Sequence, residues 1–148
     1  MSRSESVFVS PGSRLALVIL AASLSSCSSG YDDGLKKVPV RGTITIDGKP
    51  VAGLVVRLLG TTASEKSNAQ FPVGVTDAQG AFQLSTNGTN DGAVAGEYNV
   101  TVMWPENNEP PMKDKLKGAY ATPAKSKLKA TIGNEETTLP PIELKTGK

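Results

Sequence analysis

Residues able to do chemistry are scarce in this chain, and the scarcity narrows what it can be. Cys27 is the sole thiol, so no intrachain disulfide can form. There is no histidine, which removes the commonest general base, the Ser-His-Asp and Cys-His arrangements, and nearly all transition-metal sites. Carboxylates alone can hydrolyse glycosides. Here Asp47, Asp77 and Asp91 each precede a glycine, directly or by three residues, which is the placement of turn-forming aspartates. Asn87, Asn90 and Asp91 offer oxygen atoms to calcium, but without a bidentate acid at the spacing a calcium loop needs. No catalytic residue, cofactor or metal is expected.

What remains is surface chemistry. Lys113, Lys115 and Lys117, with Lys125, Lys127 and Lys129, make the most basic region. It could touch anionic lipid headgroups or acidic glycans. The plainer account is a solvated strand face whose lysines block edge-to-edge pairing. Trp104 and Tyr120 bracket a stretch holding Pro105, Pro110 and Pro111. An exposed aromatic platform there would suit carbohydrate or peptide, whereas a tryptophan packed into the end of a sheet sandwich would only stabilise it. An isopeptide bond would need Lys36 or Lys37 buried beside Asn134 and an acid. The net charge is +2 for the whole chain and +1 without Arg3, Glu5 and Arg14. That balance argues against a general nucleic-acid binder.

The segment before Cys27 gives the thiol a context. Arg3 and Arg14 precede an apolar run from Leu15 to Leu24 that is too short to cross a bilayer, and Ser25 and Ser26 follow. This order resembles a bacterial lipoprotein signal peptide ending in a lipobox. The resemblance implies cleavage after Ser26 and acylation of Cys27, with diacylglycerol on sulfur and palmitate-type chains holding the protein to a membrane. Residues 1–26 are then a signal peptide, 27–37 a lipidated flexible tether, and 38–145 one domain in the periplasm or outside the cell. The partners expected are the membrane itself and an envelope protein or polysaccharide, with no nucleic acid.

The elements that must position these groups read as strands. Val40, Gly42, Ile44 and Ile46 share one parity, with Arg41, Thr43, Thr45 and Asp47 on the other. Asp47-Gly48-Lys49-Pro50 signals a turn. Val51–Leu59 reads as one central strand and Thr61–Gln70 as a loop. Phe71–Thr76 and Ala81–Ser85 read as a hairpin closed at Asp77-Ala78-Gln79-Gly80. Tyr98, Val100, Val102 and Trp104 alternate, as do Leu128, Ala130 and Ile132 against Lys125, Lys127 and Lys129. Thr138–Leu144 closes the chain, with Pro140-Pro141 confining it to an edge or to a strand that starts late. Seven short strands with regular turns predict an all-β sandwich. Glu106–Pro123 is the one long irregular stretch, with room for a helical turn within Met112–Tyr120.

Several pieces occur together in order: Val40-Arg41-Gly42-Thr43-Ile44, Asp47-Gly48-Lys49-Pro50-Val51, Thr76-Asp77-Ala78-Gln79-Gly80-Ala81-Phe82 and Gly96-Glu97-Tyr98-Asn99-Val100-Thr101-Val102. The set resembles the carboxypeptidase regulatory-like domains, a transthyretin-like (prealbumin-like) group. Tyr120-Ala121-Thr122-Pro123, Ser126-Lys127-Leu128 and Glu143-Leu144 resemble its planctomycete-type lipoprotein subset. The resemblance implies a seven-stranded Greek-key β-sandwich over 38–145 and a non-catalytic structural or protein-binding role in the cell envelope. The alternative is a carbohydrate-binding or adhesion module using Trp104, Tyr120 and the loop with Lys113, Lys115 and Lys117. Transthyretin-like hydroxyisourate hydrolases share the fold but require histidines and a Tyr-Arg-Gly-Ser ending. This chain ends Leu144-Lys145-Thr146-Gly147-Lys148, so that activity is set aside.

Overall fold

The alternation from Val40 to Ile46 makes a strand whose even-numbered residues are buried and whose Arg41 and Thr43 face solvent. The computed structural model describes residues 34–61, 71–107 and 109–147. Ser26, Cys27, most of the tether expected over 27–37 and most of the loop expected over Thr61–Gln70 lie outside them. The described strands are β1 (Lys37–Val38), β2 (Val40–Ile46), β3 (Lys49–Pro50), β4 (Val55–Gly60), β5 (Val73–Val75), β6 (Ala81–Gln83), β7 (Ala93–Val94), β8 (Gly96–Met103), β9 (Leu128–Ile132), β10 (Thr137–Thr138) and β11 (Ile142–Leu144). One single-turn helix, α1, spans Pro123–Ser126. The chain is all-β.

Two sheets enclose the core. One runs β5-β4-β8-β9, antiparallel throughout. The other is built on β2, with β3 and β6 antiparallel to it and β10 and β11 parallel. Between them lie Ile44, Phe82 and Leu144 from the β2 sheet and Val56, Leu58, Val100 and Val102 from the β4 sheet. No disulfide contributes, so this apolar contact is the main stabilising term. Gly42 is part of the fit: a Cβ there would stand 2.7 Å from the Phe82 ring. A short third pairing joins β1 to β7, Lys37 opposite Val94. It depends on Gly92, where a Cβ would lie 1.7 Å from the Val38 carbonyl oxygen.

Three expectations are corrected and a fourth, the C-terminal strand, is narrowed to its late-starting alternative. The strand expected over Val51–Leu59 begins only at Val55. Thr76 Oγ1 donates to Val51 O at 2.7 Å and accepts Leu54 N at 2.9 Å, and Gly53 has a left-handed backbone, so this segment folds around a buried hydroxyl. The hairpin expected from Phe71 to Ser85 is bonded at both ends, Asp77 with Ala81 and Val73 with Ser85. In between its arms part company: β5 pairs with β4 and β6 with β2. The C-terminal strand is broken at Pro140-Pro141 into β10 and β11, because neither proline can donate to a ladder. The helical turn expected within Met112–Tyr120 falls instead at Pro123–Ser126, where proline at the first helical position pre-sets φ. More than seven strands result, the additional ones being the two-residue β1, β3, β7 and β10.

Tyr98 gives the core a pH-sensitive point. Its hydroxyl donates to Val94 O at 2.7 Å, and burial pushes its pKa up from 10.0. Below that value the group is neutral in both states. Above it the unfolded chain ionises first, so stability falls as pH rises past the ordinary tyrosine value. Tyr98→Phe should flatten this alkaline fall in urea titrations and cost about 1 kcal/mol at neutral pH through the lost hydrogen bond.

Candidate functional site

The stretch after β8 is ordered by one carboxylate that sequence reasoning did not single out. Asp114 Oδ1 accepts the amides of Trp104 at 3.0 Å and Leu116 at 2.9 Å, and Oδ2 accepts that of Gly118 at 2.9 Å. Backbone bonds add to it: Glu106 N donates to Lys113 O at 2.9 Å and Lys115 N to Trp104 O at 2.8 Å. Leu116 is 2% exposed, and burying a leucine contributes about 1.5–3 kcal/mol. The loop is therefore pinned from inside by Leu116 and from within by Asp114. The sequence does carry the signal, an aspartate two and four residues before backbone amides it can reach, but lysines flanking Asp114 on both sides hide it as one charge among many.

The aromatic pair is positioned differently from a shared platform. Trp104 is half-buried against the core, and Lys115 Nζ lies 4.7 Å from its ring centroid, over one face. The Tyr120 hydroxyl accepts Lys145 N at 3.0 Å, which directs it toward the end of the chain. The Tyr120 carbonyl accepts Val102 N at 2.9 Å. The structure thus brings Lys113, Lys115 and Trp104 together around Asp114 and ties Tyr120 to Lys145. Lys113, Lys115 and Lys117 are all exposed.

Lys125, Lys127 and Lys129 do not form one strand face. Lys125 is in α1, Lys127 caps it in a left-handed conformation, and only Lys129 lies on β9. The remaining candidates are structural. Asp91 accepts Thr86 N at 2.6 Å, Asn87 N at 3.0 Å and Gly88 N at 3.0 Å, so both carboxylate oxygens that calcium would require already hold a turn. Asp77 accepts Gln79 N and Ala81 N, both at 2.9 Å. Lys36 Nζ does meet Asn134, at 3.3 Å, but through its backbone carbonyl and at an exposed position.

A separate concavity lies elsewhere. A cleft of about 610 Å³ opens beside the outward side chains of β2 and β6, with Arg41, Thr43, Val75, Asp77, Gln83 and Thr138 among its walls. Arg41 is ion-paired with Glu136 at its rim. Val75 is 57% exposed, an apolar side chain left open at the cleft wall. The alternation of β2 announces the outward Arg41 and Thr43, but the parting of β5 from β6, which gives the cleft its wall, leaves no mark in the local sequence.

Comparison of the chain with protein-family models and with curated proteins finds no match.

Removing the Asp114 carboxylate tests its role directly. Asp114→Ala should lower unfolding free energy by about 2–3 kcal/mol, the range for losing hydrogen bonds to a charged acceptor. It should also raise acrylamide quenching of Trp104 fluorescence, whereas an exposed platform would already be fully quenched in the wild type.

Proposed function

We propose that this chain is a membrane-anchored, non-catalytic lipoprotein of the cell envelope, whose single domain is a structural or protein-binding module. On this reading Ser26 precedes the cleavage point, Cys27 carries the acyl chains, and the domain is a Greek-key, transthyretin-like sandwich of the carboxypeptidase regulatory-like kind. Support for that topology comes from the chain's repeated passage between the two sheets, β4 and β5 in one, β6 in the other, β8 and β9 back in the first.

The observation that carries the binding reading is how the carboxylates are used. Asp77, Asp91 and Asp114 hold backbone amides, whereas the cleft wall offers Thr43, Gln83 and Thr138, an ion-paired Arg41, and exposed Val75. Hydroxyls, an amide and an apolar contact around an open hollow are furnishings for recognition. The partner favoured is an envelope protein, since polar groups around an exposed apolar side chain match the rim and centre of a protein contact.

Two experiments test the two halves separately. Metabolic labelling with a palmitate analogue should tag the wild type and leave Cys27→Ala unlabelled, and equal labelling would remove the anchor from the proposal. Cross-linking on living cells, followed by purification through a C-terminal tag, should recover one near-stoichiometric protein. Thr43→Trp, at an exposed strand position, should keep the melting temperature and reduce that recovery several-fold; undiminished recovery would move the contact away from the cleft.

A further inference from the structure

Six lysines and one aspartate fall between residues 113 and 129, while the whole chain carries a net charge of only +2. The rest of the chain is therefore acidic on balance and this segment is strongly basic, a surplus that outweighs the exposed Glu106 and Glu109 earlier on the same loop. All six lysines are exposed. The sole aspartate among them, Asp114, is committed to three backbone amides. Among the described residues no carboxylate ion-pairs with any of the six: the ion pairs found are Arg41 with Glu136 and Lys145 with Glu143. The cluster is built in space as well as in sequence. The Val102–Tyr120 backbone bond brings the loop beside α1, and Lys125 Nζ lies 4.0 Å from where a Cβ on Gly118 would stand. Edge protection accounts for Lys129 alone, since the other five are off the strand.

Its position in the fold is the second observation. The described chain enters at Lys36 and Lys37, beside Asn134 and Val94. That is the end where Gly96 of β8 pairs with Ile132. The Trp104–Gly118 loop springs from the other end of β8, where Met103 pairs with Val55. β8 has 8 residues, so the two ends are separated by roughly 25 Å at strand rise. This is about three screening lengths at physiological salt, and the leaflet nearest the chain entry would exert little pull on the loop lysines; Lys129, opposite Asn99, lies nearer the entry and stands apart from them.

We infer that the lysine end, with Lys113, Lys117 and Lys125 at its centre, is a docking surface for an acidic glycan of the envelope, on the side of the domain away from its anchor. The envelope setting is taken from the reading above, but the charge and geometry stand without it. A hydrated polyanion fits better than a protein or the anchoring lipid. Lysine is depleted at the centres of protein interfaces, and of the exposed large apolar side chains among the described residues only Met112 lies on the loop itself, with Val75 two strands away opposite Val55. Mobile ammonium groups on separate elements match a flexible chain of carboxylates or phosphates, in which contacts remain wet and salt-sensitive.

Trp104, the single tryptophan, sits under Lys115 and reports on the site. The full chain is placed in phosphatidylcholine vesicles containing phosphatidylglycerol, and polygalacturonate, polyphosphate or neutral dextran is added. One of the two polyanions should shift Trp104 emission saturably, dextran should not, and the tighter of the two names the anion. Substituting Lys113, Lys117 and Lys125 together by Gln should weaken binding at least tenfold at unchanged melting temperature, whereas Lys36→Gln should stay within twofold. Brominated phosphatidylglycerol in the same vesicles should leave Trp104 unquenched. No response to either polyanion, equal binding by the triple variant, or strong quenching by the brominated lipid would each overturn the inference, the last by placing the lysines on lipid. None of these readouts depends on the partner captured through the cleft.

Discussion

Backbone amides that no strand can satisfy are the constraint on which this fold turns. The described strands run from 2 to 8 residues, so much of the chain lies outside regular ladders and must find acceptors locally. Three aspartates supply them. Asp77 closes the turn before β6, Asp91 holds the loop before β7, and Asp114 holds the loop after β8. A carboxylate accepts several amides at once, and charge-assisted bonds of this kind are stronger than neutral ones. The buried hydroxyls of Thr76 and Ser126 do the same at smaller scale, Thr76 between Val51 O and Leu54 N, Ser126 between Val100 O and Leu128 N.

The same constraint explains why β2 carries so many partners. It is among the longest strands and has both edges occupied, β3 and β6 on one and the two C-terminal fragments on the other. A break in a neighbouring strand is tolerable there, because β2 keeps the fragments in register. Pro140 and Pro141 are thus accommodated without loss of the sheet: Leu139 N still donates to Arg41 O at 2.8 Å before the break, and Ile142 aligns with Ile44 after it. In a domain without disulfides, continuity of the central strand does what a covalent staple would otherwise do.

Which features were legible follows from their range. The parity of Val40–Ile46 and of Tyr98–Val102, and the positive-φ turns at Asp47-Gly48 and Gly80, are local, and each appears where the sequence places it. Sheet membership is not local. Nothing in Phe71–Ser85 distinguishes a closed hairpin from one whose arms join different sheets, since both require the same turn and the same alternation. The lysines misled for a related reason. A spacing of two at Lys125, Lys127 and Lys129 reads as one strand face, yet Pro123 starts a helical turn that absorbs the first two. Asp114 was invisible because a structural aspartate between lysines looks like surface charge balance.

Anchoring, as proposed, changes what a binding surface must achieve. A protein confined to a membrane meets an envelope polymer at high effective concentration, and many copies can engage one repeating chain. Each contact can then be weak and solvated, and a deep pocket confers no advantage. Exposed lysines on a loop fixed by Asp114 and Leu116 meet that requirement. The loop is ordered enough to keep like charges gathered, which costs repulsion that a random surface would relieve by spreading them. Holding that repulsion in a pinned loop, at the end of the sandwich opposite the chain entry, is intelligible when an outside anion relieves it.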